Sequence, residues 1–161
     1  MQHQPEDDGA MSQQMMRHHY MMLALNLGIS LVIMYVAMFP MIWTWGEFLQ
    51  NINFFYMALV MWAPMAIVML VTMRSMYRNA KLNGLLYLAF GLVFLLSLIA
   101  IRDQSLVGNR QFLRSMIPHH SGAILMCQEA SISDPEIKQL CQEIIASQKA
   151  EIDQMKAILA R

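Results

Sequence analysis

The chain has 161 residues, is 57% hydrophobic and only 14% charged, and balances 11 basic against 11 acidic side chains for a net charge of zero. A neutral chain with no basic patch is a poor partner for nucleic acid, and a mean hydropathy of +0.40 points instead to a lipid bilayer. Eighteen methionines, 15 of them before position 77, are the other departure from ordinary composition and call for either thioether chemistry or packing as their reason.

The opening segment, MQHQPEDDGAMSQQMMRHHYMM, is polar and is expected to be mobile to about Gln14, with 1–20 forming a Met/His-rich N-terminus. Its Met11, Met15, Met16, His18 and His19 could collect a soft metal, or could simply lead into the first span. Charge is then absent from His18 to Gly46, from Phe48 to Met73 and from Leu82 to Ile101, runs of 29, 26 and 20 residues. Crossing a bilayer takes about 20 helical residues. Three spans are therefore expected at 21–43, 54–73 and 83–101, together a transmembrane domain over 21–101. Pro40 and Pro64 fall inside two of them, which membrane helices tolerate. The first apolar run is too long for a removable signal, and no small-residue cleavage site follows it.

Arg17, Arg74, Arg78 and Lys81 flank the spans on one side, whereas the other side has Glu47 in its loop and then Arg102. The positive-inside rule puts the first side in the cytoplasm and the C-terminal part outside. In a bacterium this describes a multi-pass protein of the inner (cytoplasmic) membrane with a periplasmic C-terminal domain. The second span carries Met57, Met61, Met65, Met69 and Met73 four apart, a row that drifts about 40° per step. In an antiparallel pair of spans, Met41, Met38, Met34 and Met22 would stand level with Met57, Met61, Met65 and Met76. Such a seam could pass Cu(I), or the thioethers could be flexible apolar filler. Asn26, Asn51 and Asn53 near the span ends read as structural.

Residues 102–161 read as a helical hairpin, with helices over Ser105–Ala130 and Pro135–Ala160. Asp134 is placed to cap the second, with Pro135 at its first position and Glu136 in its first turn. In the first, Met116, His120 and Cys127 share a face within about 40°, and His119 and Met126 form a neighbouring row. Thioether and thiolate are soft donors and imidazole is borderline, a set that suits Cu(I) or Ag(I). The competing reading is that Met and Cys fill a core and a buried His is only hydrogen-bonded. Cys127 and Cys141 could be reduced metal ligands or a disulfide. Pro118, just before His119, implies a fresh helix start or a kink.

The inner stripe of the last helix is expected to hold Ile137, Cys141, Ile144, Gln148, Glu151, Ile152, Met155 and Leu159. An antiparallel register then sets Cys127 against Cys141, His120 against Gln148, Met116 against Glu151 and Phe112 against Met155. Gln148 or Glu151 could hold a His ring in one tautomer, or could merely bond across the helices. Two helices cannot bury both their faces alone, so self-association is expected, two hairpins forming a four-helix bundle.

The segments FLRSMIPHHSGAILM, DPEIKQLC and SQKAEIDQM resemble the domain-of-unknown-function 305 family over residues 103–159. The resemblance implies a ferritin-like helical bundle and, through members linked to copper or silver in the bacterial periplasm, binding of Cu(I) or Ag(I). Carried over position by position, it marks Met116, His119, His120, Met126, Gln148, Glu151 and Met155; Cys127 and Cys141 stand where many members have plain apolar residues. The three spans look like an addition that makes a membrane-anchored branch.

The expectation for the whole chain is an all-α membrane-anchored copper-binding protein for sequestration, delivery or resistance, working as a homo-oligomer and with another copper-handling protein. Cu(I) transport through the methionine seam, or a structural anchor without metal, are the alternatives. Enzyme activity is not expected: the paired Glu and Glu-x-x-His of a di-iron bundle, His-Glu-x-x-His and a phosphate-binding Gly loop are all missing from the sequence.

Overall fold

The computed structural model describes the backbone of residues 5–161 and the side chains from 13 onward, and the chain is all-α, as expected. Helix α1 is Pro5–Val36, α2 Ile52–Thr72, α3 Ala80–Arg102, α4 Asn109–Glu129 and α5 Pro135–Leu159, with a 3-10 turn at Trp45–Glu47. The side chain of Met11, a proposed donor, lies outside the described residues.

The first helix differs from expectation at both ends. Its backbone is helical from Pro5, within the segment expected to be mobile to about Gln14. A proline at the first helical position presets a helical φ. At the other end α1 stops at Val36, short of 43. Pro40 explains this, because its ring would clash with the carbonyl four residues back. Pro64 and Pro118, in contrast, lie inside α2 and α4, which continue through them.

From Gln13 to Val36, and over the full lengths of α2 and α3, the helices are long and apolar enough to cross a membrane, and little of their surface is covered by the chain itself. Leu85, Leu88, Leu95 and Leu96 of α3 are each more than half exposed, a face suited to lipid.

The chain divides into two compact units, one formed by α1 up to Met34 with Ala58–Ile99, the other by Tyr35–Met57 with Ala100–Arg161. In the first, Leu23 and Leu27 of α1 pack with Ala63, Ala66 and Leu70 of α2 and with Phe90 of α3. The fully buried alanines let the backbones approach closely, the usual means of joining helices in lipid. Trp62 donates its indole N–H to the Leu27 carbonyl at 2.8 Å, and Tyr20 donates to Asn83 Oδ1 at 2.7 Å, so these polar groups are satisfied within the unit. Along the methionine row of α2, Met57 and Met61 are 44% and 45% exposed, while Met65, Met69 and Met73 pack on the core. The drift of a four-residue spacing around a helix carries the row outward.

The second unit is larger than the expected hairpin, because the segment Tyr35–Met57 belongs to it. Phe39 packs tilted against Phe48 and edge-to-face against Phe54, ring centroids 4.1 and 5.0 Å apart, and ties that segment into a compact loop. Asn51, buried, accepts from the Phe54 N–H at 2.9 Å and starts α2, the structural role expected of it. The hairpin itself follows its cap: Asp134 accepts from the backbone N–H of Glu136 and Ile137 at 2.8 and 3.1 Å. Its core is Ile117, Ile124, Ile152 and Met155, with Leu49 of the loop packed on it. Ile137, expected on the inner stripe, is 48% exposed, and Ile145 takes an inner place instead. Gly122 of α4 faces the loop, where a β-carbon would stand in ordinary contact 3.4 Å from the Met41 carbonyl oxygen. The loop thus covers part of the hairpin face that was expected to need a second copy.

Candidate metal centre in the hairpin

Of the nine proposed ligands, Cys127 and Cys141 are joined in a disulfide that staples α4 to α5, so neither offers a thiolate. The register that opposed them is the reason: two thiols at one level of an antiparallel pair are within bonding reach. Closing a loop of this length stabilises the folded hairpin by roughly 3 kcal/mol. Met155 is buried in the apolar core, and Met116 packs against that core half-buried; both act there as fillers. Gln148 is half-buried on α5.

His120 is buried, and both its ring nitrogens are engaged. Nδ1 lies 2.9 Å from the Met116 carbonyl oxygen one turn back, and Nε2 lies 2.7 Å from Glu151 Oε2. The carbonyl can only accept, so Nδ1 carries a hydrogen. Glu151 also accepts from Ser147 Oγ at 2.8 Å. Hydrogen bonds from Ser147 and then His120 hold the Glu151 carboxyl below its ordinary value, which keeps it an acceptor. Both ring nitrogens are thus occupied in hydrogen bonds within the hairpin. The expectation that Glu151 holds a histidine is therefore met, but it holds His120 as a strut between α4 and α5.

His119 is exposed, its ring centroid 6.1 Å from that of His120, and Met126 is 58% exposed two turns further along the same row. These are the open donors of the hairpin. Among the described residues no three His, Cys, Asp or Glu side chains converge as a metal cage.

A polar node that sequence reasoning missed lies beside this strut. Glu47, only 1% exposed, accepts from Ser121 Oγ and from Lys156 Nζ, the latter at 3.0 Å. Burial alone would push its carboxyl up, but the bonds from Ser121 and Lys156 outweigh this and hold it below its ordinary value of 4.5. The Trp43 N–H donates to the same Ser121 hydroxyl, and the Lys149 ammonium sits 4.3 Å from the Trp43 ring centroid. Trp43, Glu47, Lys149 and Lys156 line a cleft of about 300 Å³ between loop and hairpin. The signal was in view: Glu47 is the one charged residue between the first two spans.

Residues 71–159 match the family described as Domain of unknown function (DUF305), so the match takes in α3 as well as the hairpin. The chain is also 35% identical over 116 residues to "Uncharacterized protein L153" of Acanthamoeba polyphaga mimivirus, covering 71% of this chain and 74% of that protein. No solved structure matches it.

Proposed function

The chain belongs to the DUF305 family, and from that premise we propose that it is a membrane-anchored protein that binds Cu(I), and its soft analogue Ag(I), through the hairpin. The observation that carries this reading is the free pair His119 and Met126, an imidazole and a thioether on one outward row of a stapled helix. Two donors of this softness hold a monovalent d10 ion weakly alone and well when a second hairpin supplies two more. Self-association into a four-helix bundle would do so, and the exposed Phe112 on the same row offers apolar area for it. The protein so described sequesters or delivers metal and is not an enzyme.

The proposed location is a bacterial inner membrane with the hairpin on the periplasmic side. Two independent features support that orientation: Arg17, Arg74, Arg78 and Lys81 flank the opposite ends of the spans, and a disulfide persists only in an oxidising compartment. The test is competition for Cu(I) between the detergent-purified protein and a chromophoric chelator, with light scattering for the oligomer. Changing His119→Ala together with Met126→Leu should release one metal per hairpin pair. Unchanged affinity would remove the hairpin as the site, and the loss of metal from His120→Gln alone would reassign it to the buried ring.

A further inference from the structure

A cavity of about 530 Å³ opens in the apolar-helix unit, and its wall joins His18, His19 and Met22 of α1 to Met69 of α2 and to Met73 and Met76 just beyond that helix. Two imidazoles and four thioethers thus meet in one place from segments some fifty residues apart in sequence. The His rings are tilted, with centroids 6.5 Å apart. His19 Nδ1 is out of contact with solvent and has no hydrogen-bond partner among the described residues. A polar atom left so costs about 1–3 kcal/mol, and the thioethers around it cannot donate to it.

We propose that this cavity is a second soft-metal site, taking Cu(I) or Ag(I) through His19 Nδ1 and thioethers from Met22, Met69, Met73 and Met76. The chemistry of the wall selects the ion. Thioether sulfur is a soft, neutral donor, and among the described residues no carboxylate or thiolate lines the cavity to offset a double charge. A monovalent soft cation fits; Zn(II), Mg(II) and Ca(II) do not.

Core packing accounts for Met69 and Met73, which also face the cavity, but not for Met22 and Met76. The core of this unit is made by Leu23, Leu27, Ala63, Ala66 and Leu70, while Met22 and Met76 remain 50% and 36% exposed at the cavity. The framework around the site is nonetheless ordered. Tyr20 bonds to Asn83 and accepts from the Asn79 N–H at 3.3 Å, and Asn83 donates to the Tyr77 carbonyl at 2.6 Å. Donors are held near one another before any ion arrives, which lowers the ordering cost of binding. The site uses none of the hairpin residues.

The test is Cu(I) titration of the full chain in detergent, made in the His119→Ala/Met126→Leu background so that the hairpin is silent. That background should keep one equivalent of Cu(I) per chain, with sulfur and nitrogen neighbours by X-ray absorption, and should not exchange it for Zn(II). Adding Met22→Leu, Met73→Leu and Met76→Leu should weaken it by more than the roughly 10–100-fold that losing a residue behind a ligand costs. Leucine keeps the volume, so helicity by circular dichroism should be unchanged. If the triple change disturbs folding, Met22→Leu/Met76→Leu alone, at exposed positions, and separately His19→Phe carry the same expectation. A background protein that binds no Cu(I), or variants that bind it as tightly as the background, would overturn this site and leave the hairpin reading standing. Cu(I) lost only on changing the cavity residues, with His119 and Met126 intact, would do the reverse.

Discussion

The apolar-helix unit and the hairpin unit handle their histidines in opposite ways. His120 of the hairpin sits in a polar network, giving one ring nitrogen to a backbone carbonyl and the other to Glu151. His19 sits among thioethers with Nδ1 buried and unpaired. The difference teaches that a histidine nitrogen becomes part of a strut where an acceptor meets it and stays a potential ligand where it is buried without one. The same contrast runs through the packing: small residues in close contact join the spans, whereas a disulfide and an ion pair join the hairpin to itself and to its loop.

Perturbations confined to one unit should expose this contrast. The largest effect is expected from Cys127→Ser/Cys141→Ser, or from reduction, which should lower hairpin stability by about 3 kcal/mol and leave the spans untouched. Denaturant titration followed by far-UV circular dichroism would show it, and simultaneous melting of both units would break the comparison. Ala66→Leu should act only on the spans. Overpacking a fully buried alanine costs roughly 1–3 kcal/mol. Thermal shift in detergent, with and without reductant, reads that loss apart from the disulfide's.

Lys156→Met should come next. It leaves the Glu47 carboxylate buried with Ser121 as its remaining side-chain donor. Breaking a fully buried pair costs roughly 3–5 kcal/mol, but Lys156 is 41% exposed, so about 1–2 kcal/mol is expected. The smallest effect is that of pH. Because the folded Glu47 carboxyl lies below 4.5, its contribution is complete above that pH and is lost as pH falls through the folded value. Glu47→Gln should therefore flatten part of the acid limb of hairpin stability; a limb left unchanged would assign it to another carboxylate.

Much of this molecule was legible from residues alone. Unbroken absence of charge marked the three apolar helices, and Asp134-Pro135-Glu136 marked the start of α5. Antiparallel register set Cys127 against Cys141 and brought Glu151 within a turn of His120. The helix ends were less legible, because Pro40 stops α1 while Pro64 and Pro118 are absorbed, and only the surroundings of each ring decide which happens. Of the hairpin donors, sequence periodicity placed them on the right faces but could not say which were already used.

What the sequence by itself determined, then, is the set of helices and the side of each that is apolar, since both follow from local periodicity and charge. The tertiary structure alone decided which donors are spent and which are free. Glu47 lies 74 positions from Ser121 and 109 from Lys156, and His18 and His19 meet Met69, Met73 and Met76 only after two helices pack. Hydrogen bonding saturates: a nitrogen that has met a carboxylate is closed to a metal, and that meeting is a long-range event which no helical spacing records.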